Sequence, residues 1–128
     1  MTIISNIGVN YFYQEALSWD RIMNFYLQEN AFFKTRLAQV LEHPMSGELL
    51  ERAEYFQNCF VHNDEGMKGL KTDIDILLRL IKDFNVAKKS NDAIISGKYR
   101  KLDNEMKNFA KKFEEIKSDF NLYLLSFI

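Results

Sequence analysis

The sequence is poor in the residues that make turns and cross-links. Its 128 residues include one proline, five glycines and one cysteine. So little glycine and proline leaves few tight turns, which argues against a fold of many short strands. The single cysteine, Cys59, excludes an internal disulfide framework and a cysteine-based zinc site. Its simplest use, beside Phe60, is as a small hydrophobic side chain.

Targeting and catalytic signatures are missing as well. The first basic residue is Arg21, so the chain has no charged start of a secretory signal. No apolar run reaches the roughly 20 residues that span a bilayer, and we therefore expect a soluble cytoplasmic protein. There is no Gly-x-Ser-x-Gly nucleophile motif and no glycine-rich phosphate-binding loop. We therefore expect a chain that is not an enzyme, and we assign no cofactor to it.

What the chain has in quantity is hydrophobic and aromatic mass. Apolar residues make up 47% of it and aromatic residues 14%, with 11 phenylalanines. That composition is too hydrophobic for a disordered chain. A chain of 128 residues is also long enough to bury a core without disulfides. We predict a single domain over residues 1–128.

A first apolar seam follows the N-terminal third of the chain. Its members recur in alternating steps of four and three residues, the spacing of one helix face: Phe12, Ala16, Trp19, Met23, Tyr26, Asn30, Phe33, Leu37 and Val40. Pro44 disfavours helical backbone at His43, and Ser46 can cap a following helix. We predict a first helix over residues 10–43 and an extended arm over residues 1–9.

The second seam decides how the stretch HNDEGMKG, residues 62–69, is built. This stretch could be a loop, a metal-binding loop or the polar middle of a long helix. The alternating steps cross it without a change of phase, through Leu49, Ala53, Phe56, Phe60, Asn63, Met67, Leu70, Ile74, Leu77, Ile81 and Phe84. A loop has no reason to preserve that register. We predict one helix over residues 46–86 through Gly66 and Gly69, which each cost about 1 kcal/mol relative to alanine.

A third seam predicts a third helix over residues 98–127. Its members are Leu102, Met106, Phe109, Phe113, Ile116, Phe120, Tyr123 and Phe127. The segment before it, KKSNDAIISGK, carries turn signals, and the pattern does not place Ile94 and Ile95. Three long helices with sustained seams predict an all-α, antiparallel bundle with coiled-coil-like heptad packing.

Some apolar residues lie beside the seams, where a slender three-helix layer covers them poorly. They are Phe25, Phe32, Leu78, Leu80, Leu124 and Leu125. Monomeric proteins rarely expose large contiguous apolar patches. We therefore expect a second copy of the chain to cover them, which predicts a homodimer.

Asn30 and Asn63 are the only polar members of the first two seams. Folding the chain at Pro44 places them within about one heptad layer of each other. A buried asparagine costs stability but fixes the register and the number of partners, and two amides can satisfy each other. We favour this register-setting role. The alternative is a small polar pocket lined by Asn30, Asn63, Tyr26, Glu29 and His62.

Two familiar metal patterns fit the sequence poorly. The stretch DEGMKGLKTDID has the glycine and the final acid of a calcium loop, but Gly66 and Lys68 stand where oxygen ligands are required. Di-iron bundles need Glu-x-x-His pairs, and neither His43 nor His62 follows a glutamate by three residues. We assign no metal site to the chain.

Charge is distributed unevenly along the chain. Residues 1–65 carry four basic and nine acidic side chains, whereas residues 86–112 carry eight basic and three acidic ones. The structural interpretation is that the acidic first helix lies beside the basic third helix and that their charges neutralise each other. The functional one is a basic face for an acidic protein partner, with nucleic acid less favoured because no nucleic-acid motif is present. This face comprises Lys88, Lys89, Lys98, Arg100, Lys101, Lys107, Lys111 and Lys112.

Two stretches resemble a set of short all-helical bacterial proteins of unknown function. They are LDNEMKNFAKKFEEIKSDFNLYL in the third predicted helix and YFQNCFV in the second. The resemblance implies an all-helical fold over most of the chain. It implies no activity and carries over no functional residue.

Two functions from different classes remain. The leading hypothesis is a non-catalytic structural or protein-interaction bundle that self-associates. The alternative is a bundle that binds a small ligand or a metal in the polar layer near Asn30 and Asn63. They differ in whether that layer is self-paired or occupied.

Overall fold

The computed structural model describes the backbone of residues 2–87 and 92–128 and the side chains of residues 8–84 and 93–128. It contains three long helices: α1 (Thr2–Leu41), α2 (Gly47–Ala87) and α3 (Asp92–Leu124). A short 3₁₀ turn, Leu125–Phe127, follows α3. These two stretches of chain contain no strand, so the fold is the predicted all-α three-helix bundle.

Contacts between the helices establish an up-down-up order. Lys71 of α2 reaches back to Asn24 of α1, so these two helices run antiparallel. Helix α3 runs parallel to α1, because Tyr99 near its start contacts Glu15 and Lys117 near its end contacts Glu29. Each helix therefore packs against both of the others along one common axis.

The three predicted seams line this axis. Every member of the first two seams is buried except Phe12 and Leu49, which are partly buried against the core. Aromatic rings join the helices, with ring centroids 5.7 Å apart for Phe33 and Phe60 and 5.0 Å apart for Phe60 and Phe120. The alternation of four and three residues therefore identified the core correctly, because side chains at that spacing share one helix face.

The turn between α1 and α2 ends one helix and caps the next. After Leu41 the backbone tightens, since the N–H of His43 donates to the carbonyl oxygen of Val40 at 3.1 Å. The hydroxyl of Ser46 accepts from the N–H of Leu49 at 3.5 Å, at the start of α2. The predicted boundaries, 43 and 46, thus lie within two residues of the observed ones.

The extended arm predicted for residues 1–9 is wrong, because α1 already begins at Thr2. The reason is visible at Val9, which is only 1% exposed. It lies three residues before Phe12, so it continues the first seam upstream and packs on the core. A continuous apolar face favours helix over an arm at this end of the chain.

The predicted start of the third helix at residue 98 is also wrong. Helix α3 begins at Asp92, and Ile95 is fully buried in the core. Ile95 lies four residues before the buried Tyr99 and seven before Leu102, so it belongs to the third seam. Ile94 stays 55% exposed. At the other end, α3 gives way at Leu124 to the 3₁₀ turn rather than continuing to residue 127.

Helix α2 runs through Gly66 and Gly69 as predicted. The two glycines differ in their surroundings. A Cβ added at Gly66 would lie 3.3 Å from Cε2 of Phe109, whereas one added at Gly69 would meet nothing within 4 Å. Gly66 therefore permits a close approach of α3, and Gly69 has no such contact.

Among the helices in these two described stretches, none combines the length and the apolar character that crossing a membrane requires.

The two glycines of α2 provide a matched test of this packing. We expect Gly69→Ala to raise the free energy of unfolding by about 1 kcal/mol, because alanine is the better helix former and the new methyl group has free space. Gly66→Ala is expected to gain less, because its methyl group presses on the Phe109 ring. Urea denaturation of both variants measures the difference. A Gly69→Ala variant no more stable than the parent would contradict the prediction.

Candidate functional site

Among the side chains that the structure describes, the most buried polar one is that of Asn30, which is fully inaccessible. Its Nδ2 donates to the carbonyl oxygen of Phe60 at 2.9 Å and to Oδ1 of Asp64 at 2.7 Å. Lys34, one turn further along α1, donates from Nζ to the other carboxylate oxygen of Asp64. One turn of α1 is thus hydrogen-bonded to one turn of α2 at the middle of the bundle.

Asn63 is buried as predicted but does not pair with Asn30. It is 7% exposed, and Asn30 is bonded to Asp64, the next residue along α2, instead. Among the described side chains, Nδ2 of Asn63 and Oδ1 of Asn30 are buried without a hydrogen-bond partner. The predicted amide pair is therefore replaced by a pairing of Asn30 with a carboxylate. A charged acceptor gives the stronger hydrogen bond, which favours this arrangement.

The carboxylate of Asp64 is held in its ionised form. Partial burial raises its pKa, but the hydrogen bonds from Lys34 and Asn30, together with the positive charges of Lys34 and Lys68, leave it below the ordinary value of 3.8. The side chain of Asp64 is 25% exposed, so water still reaches it from one side. This cluster of Asn30, Lys34 and Asp64 therefore links α1 to α2 through hydrogen bonds to an ionised carboxylate at neutral pH.

Tyr26 and Glu29 face α3 rather than α2. The Tyr26 ring lies with its centroid 4.4 Å from that of Phe113. Burial, together with the carboxylates of Glu114 and Glu29, raises the pKa of the Tyr26 hydroxyl. Oε2 of Glu29 accepts from Nζ of Lys117 at 2.8 Å, and this hydrogen bond raises the pKa of Lys117.

His62 is exposed and lines a groove between α2 and α3 together with Asn63. The five residues of the predicted polar pocket therefore do not converge. Asn30 contacts α2, Tyr26 and Glu29 contact α3, and His62 and Asn63 open onto the surface between α2 and α3. The five residues lie at the same level along the bundle axis, but they face three different interfaces.

The sequence pattern did not indicate three residues that form hydrogen bonds at this level: Asp64, Lys34 and Lys117. Each lies just outside a seam, where a charged side chain is normally a solvated one. A usable signal existed for Lys34, because it lies four residues after Asn30 and so shares its helix face. No comparable signal linked Lys117 to Glu29, since their proximity depends on how α3 is aligned against α1.

The predicted basic residues of α3 are exposed but do not share one face, since Lys98, Lys101 and Lys112 line grooves with α2 and Lys107 lines a groove with α1. Lys98, Arg100, Lys101, Lys107, Lys111 and Lys112 are all exposed, whereas Lys88 and Lys89 lie outside the described residues. Two of the six have acidic neighbours on the same helix. Lys107 contacts Asp103 at 2.9 Å, and Lys101 lies 3.9 Å from Glu105. The cross-helix neutralisation weighed for α1 and α3 occurs at Glu29 and Lys117, a lysine outside that set.

The side chains that the structure describes include no group of three or more histidine, cysteine or acidic residues placed to hold a metal ion. The stretch DEGMKGLKTDID lies inside α2 and not in a loop. In a helix its acidic residues point in different directions around the axis. They therefore do not surround a common point.

No family model, no curated protein and no solved structure matches the chain in the three comparisons with known proteins. The chemistry available at the polar layer therefore has to be judged from its own geometry. It offers hydrogen-bonding groups and charges, with no nucleophile and base in contact.

Acidification is expected to weaken the hydrogen bonds that Asp64 accepts from Asn30 and Lys34. Because its pKa is lower in the folded than in the unfolded chain, its stabilisation is present above pH 3.8, the ordinary value, and is lost as the pH falls through the lower folded value. Thermal unfolding of the parent and of Asp64→Asn, followed from neutral pH to below pH 3.8, measures the loss. The variant, which keeps an acceptor for Asn30, is expected to show a smaller acid-dependent fall in melting temperature.

Asp73, an exposed acid on the same helix, gives the matched control. Asp73→Asn is expected to follow the parent through the whole pH range. Identical acid dependence of the parent and of Asp64→Asn would contradict the assignment.

Proposed function

We propose that the protein is a non-catalytic helical bundle that self-associates as a homodimer and serves as a structural or protein-interaction module. The observation that carries this proposal is an exposed apolar stripe on α1. Ile22 is 39% exposed, and Phe25 and Phe32 are each 57% exposed. Their spacing of three and seven residues places them on one helix face, where Gln28 and Glu29 occupy the turn between Phe25 and Phe32.

The stripe borders two grooves between α1 and α3. One is lined by Ile22, Phe25 and Tyr26 on α1 and by Glu114 on α3. The second shares Ile22 and Tyr26 and continues toward the start of the bundle. Together they make an elongated apolar surface of the kind that packs against another helix. Burying it in a second copy would remove the exposed rings from water.

The apolar residues predicted to lie beside the seams differ in how exposed they are. Phe25, Phe32 and Leu125 are exposed, whereas Leu78, Leu80 and Leu124 are partly buried against the core of their own chain. Within the predicted set, two of the three exposed residues, Phe25 and Phe32, therefore lie on α1. Coiled-coil-like packing between the two α1 helices fits this row of apolar residues.

The occupant favoured for this surface is a second copy, because the α1 stripe is complementary in charge to itself. A two-fold interface brings a patch against an identical patch. A charged side chain in the patch therefore needs an opposite charge elsewhere in the same patch. Glu15 lies ten residues before Phe25 along α1, at the edge next to α3 where it also accepts from Tyr99, and Arg36 lies eleven residues after Phe25. Two antiparallel α1 helices that cross at Phe25 therefore bring each Glu15 opposite an Arg36.

A second candidate function is the binding of a small ligand beside Asn63. Its specific support is the buried Nδ2 of Asn63, which has no acceptor among the described side chains. The two functions use different faces, since the row that carries dimerisation lies on α1 and Asn63 opens between α2 and α3. One can therefore fail without the other.

Sedimentation equilibrium tests the proposed dimer. We expect the parent to have twice the 15.2 kDa mass of one chain at micromolar concentration. Phe25→Gln is expected to shift the protein to the monomer, because it places a polar amide at the centre of the row. Tyr55→Gln is the matched control, since Tyr55 on α2 is equally exposed at 56% and lies off the row. A monomeric parent, or equal effects of the two substitutions, would refute the dimer interface.

A further inference from the structure

One small side chain interrupts a line of aromatic ones on the exposed face of α1. Tyr11, Ser18, Phe25 and Phe32 recur every seven residues, which places them on nearly the same side of the helix, two turns apart. Tyr11 is 56% exposed and the two phenylalanines are each 57% exposed, whereas Ser18 is half-buried. Ser18 is therefore a gap between protruding aromatic rings.

The surface at this gap is concave. Ser18 lines both grooves between α1 and α3, and the first of them measures about 400 Å³. Ile22 and Tyr26 line both grooves as well and give them apolar walls. Pockets of about 300–1,000 Å³ hold whole small molecules. The space beside Ser18 therefore admits a single aromatic ring.

Two-fold symmetry determines which side chain meets the gap. In an antiparallel pair of α1 helices that cross at Phe25, residues equally far before and after Phe25 face each other. Ser18 precedes Phe25 by seven residues, and Phe32 follows it by seven. Each Phe32 therefore lies over Ser18 of the other copy, and the symmetry produces this contact twice. A large residue opposite a small one lets two helices interdigitate closely.

A parallel pair of α1 helices lacks this fit. It would bring each residue against itself, so Phe32 would meet Phe32 and the gap at Ser18 would stay unfilled. Arg21, which is exposed and lines the first groove, would meet Arg21, and these like charges repel. The antiparallel pair instead places Gln28 and Glu29 across from Arg21. Size and charge thus favour the same orientation.

The ring of Phe32 is held in place for such a contact. The guanidinium carbon of Arg36 lies 5.8 Å from the centre of the ring, a cation–π contact within α1. A side chain that is already ordered loses less conformational entropy when a partner binds it. Aromatic residues are also enriched at the centres of protein interfaces. Phe32 is therefore suited to anchor the second copy.

We propose that Phe32 of each copy packs over Ser18 of the other and fills the groove beside Ile22 and Tyr26. This inference rests on the proposed homodimer and adds the contact that determines its orientation. The two Phe32 contacts lie on either side of the Phe25 pair, each about 10 Å from it along the helix. The small side chain at Ser18 is therefore a specificity determinant of self-association.

Disulfide cross-linking tests the orientation. Ser18→Cys and Phe32→Cys are made separately in a Cys59→Ser background, so that each chain carries one thiol. A disulfide requires Cα atoms within about 7 Å, and the two copies of position 18 lie about 20 Å apart in the antiparallel pair. We therefore expect a cross-linked dimer only when the two variants are mixed. The mixed dimer keeps one native contact of Phe32 with Ser18. Cross-linking of either variant with itself would overturn the proposal.

Substitutions of Ser18 test the contact itself. Ser18→Phe is expected to raise the dissociation constant of the dimer roughly tenfold or more, because the added ring overpacks the space for Phe32. Ser18→Ala, which stays small, is expected to dimerise like the parent. Ala31→Phe is the matched control, since Ala31 is exposed on α1 but lies off the stripe. Sedimentation equilibrium measures each dissociation constant, and circular dichroism confirms that each variant is folded.

The results separate this contact from the homodimer as such. A monomeric parent would refute both. A dimeric parent whose association Ser18→Phe leaves unchanged would overturn the contact of Phe32 with Ser18 and leave the homodimer standing. The same holds if the parent is a dimer and the two cysteine variants do not cross-link when they are mixed.

Discussion

A layer of three phenylalanine rings, one from each helix, holds the bundle in register. Phe33 of α1, Phe60 of α2 and Phe120 of α3 contact one another with ring centroids between 5.0 and 5.7 Å apart. The Phe60 and Phe120 rings meet edge to face, the geometry that the ring quadrupole favours. A shift of one helix by one turn would separate its ring from the other two, so this layer favours one alignment of the three helices.

The polar layer lies one helical turn away from these rings and depends on them. Asn30 precedes Phe33 by three residues, and Asn63 follows Phe60 by three. The aromatic layer therefore brings Asn30 against the backbone of Phe60, where it finds its acceptors. The buried amide adds a second constraint, because it loses its specific acceptor when one helix slides along the other. The two layers together define one alignment of α1 against α2.

The slender cross-section of three helices also determines where surfaces for other molecules can lie. Every helix contacts the other two, so the exterior is divided by three grooves. The groove between α1 and α3 is bordered by exposed aromatic residues, including Phe25. The groove between α2 and α3 combines a buried amide with an apolar floor. These two grooves lie on different faces of the bundle, so covering one of them leaves the other open.

Much of this architecture was determined by the sequence alone, because it depends on local periodicity. The alternating steps of four and three residues identified the three helices, the core and the burial of Asn30 and Asn63. They also showed that α2 passes through Gly66 and Gly69. The errors at the starts of α1 and α3 came from beginning a seam too late, since Val9 and Ile95 continue the steps of four and three residues upstream.

Only the tertiary structure decided which polar groups meet. The partner of Asn30 is Asp64 and not Asn63, and Lys117 reaches Glu29 across to α3. Helical spacing states which side of a helix a residue occupies, but it does not state how far one helix slides or rotates against the next. A slide of one helix along the other by about 1.5 Å, the rise of one residue, is enough to exchange one hydrogen-bond partner for its neighbour. The division of the predicted pocket among three interfaces follows from that alignment, which the packing of the aromatic rings sets.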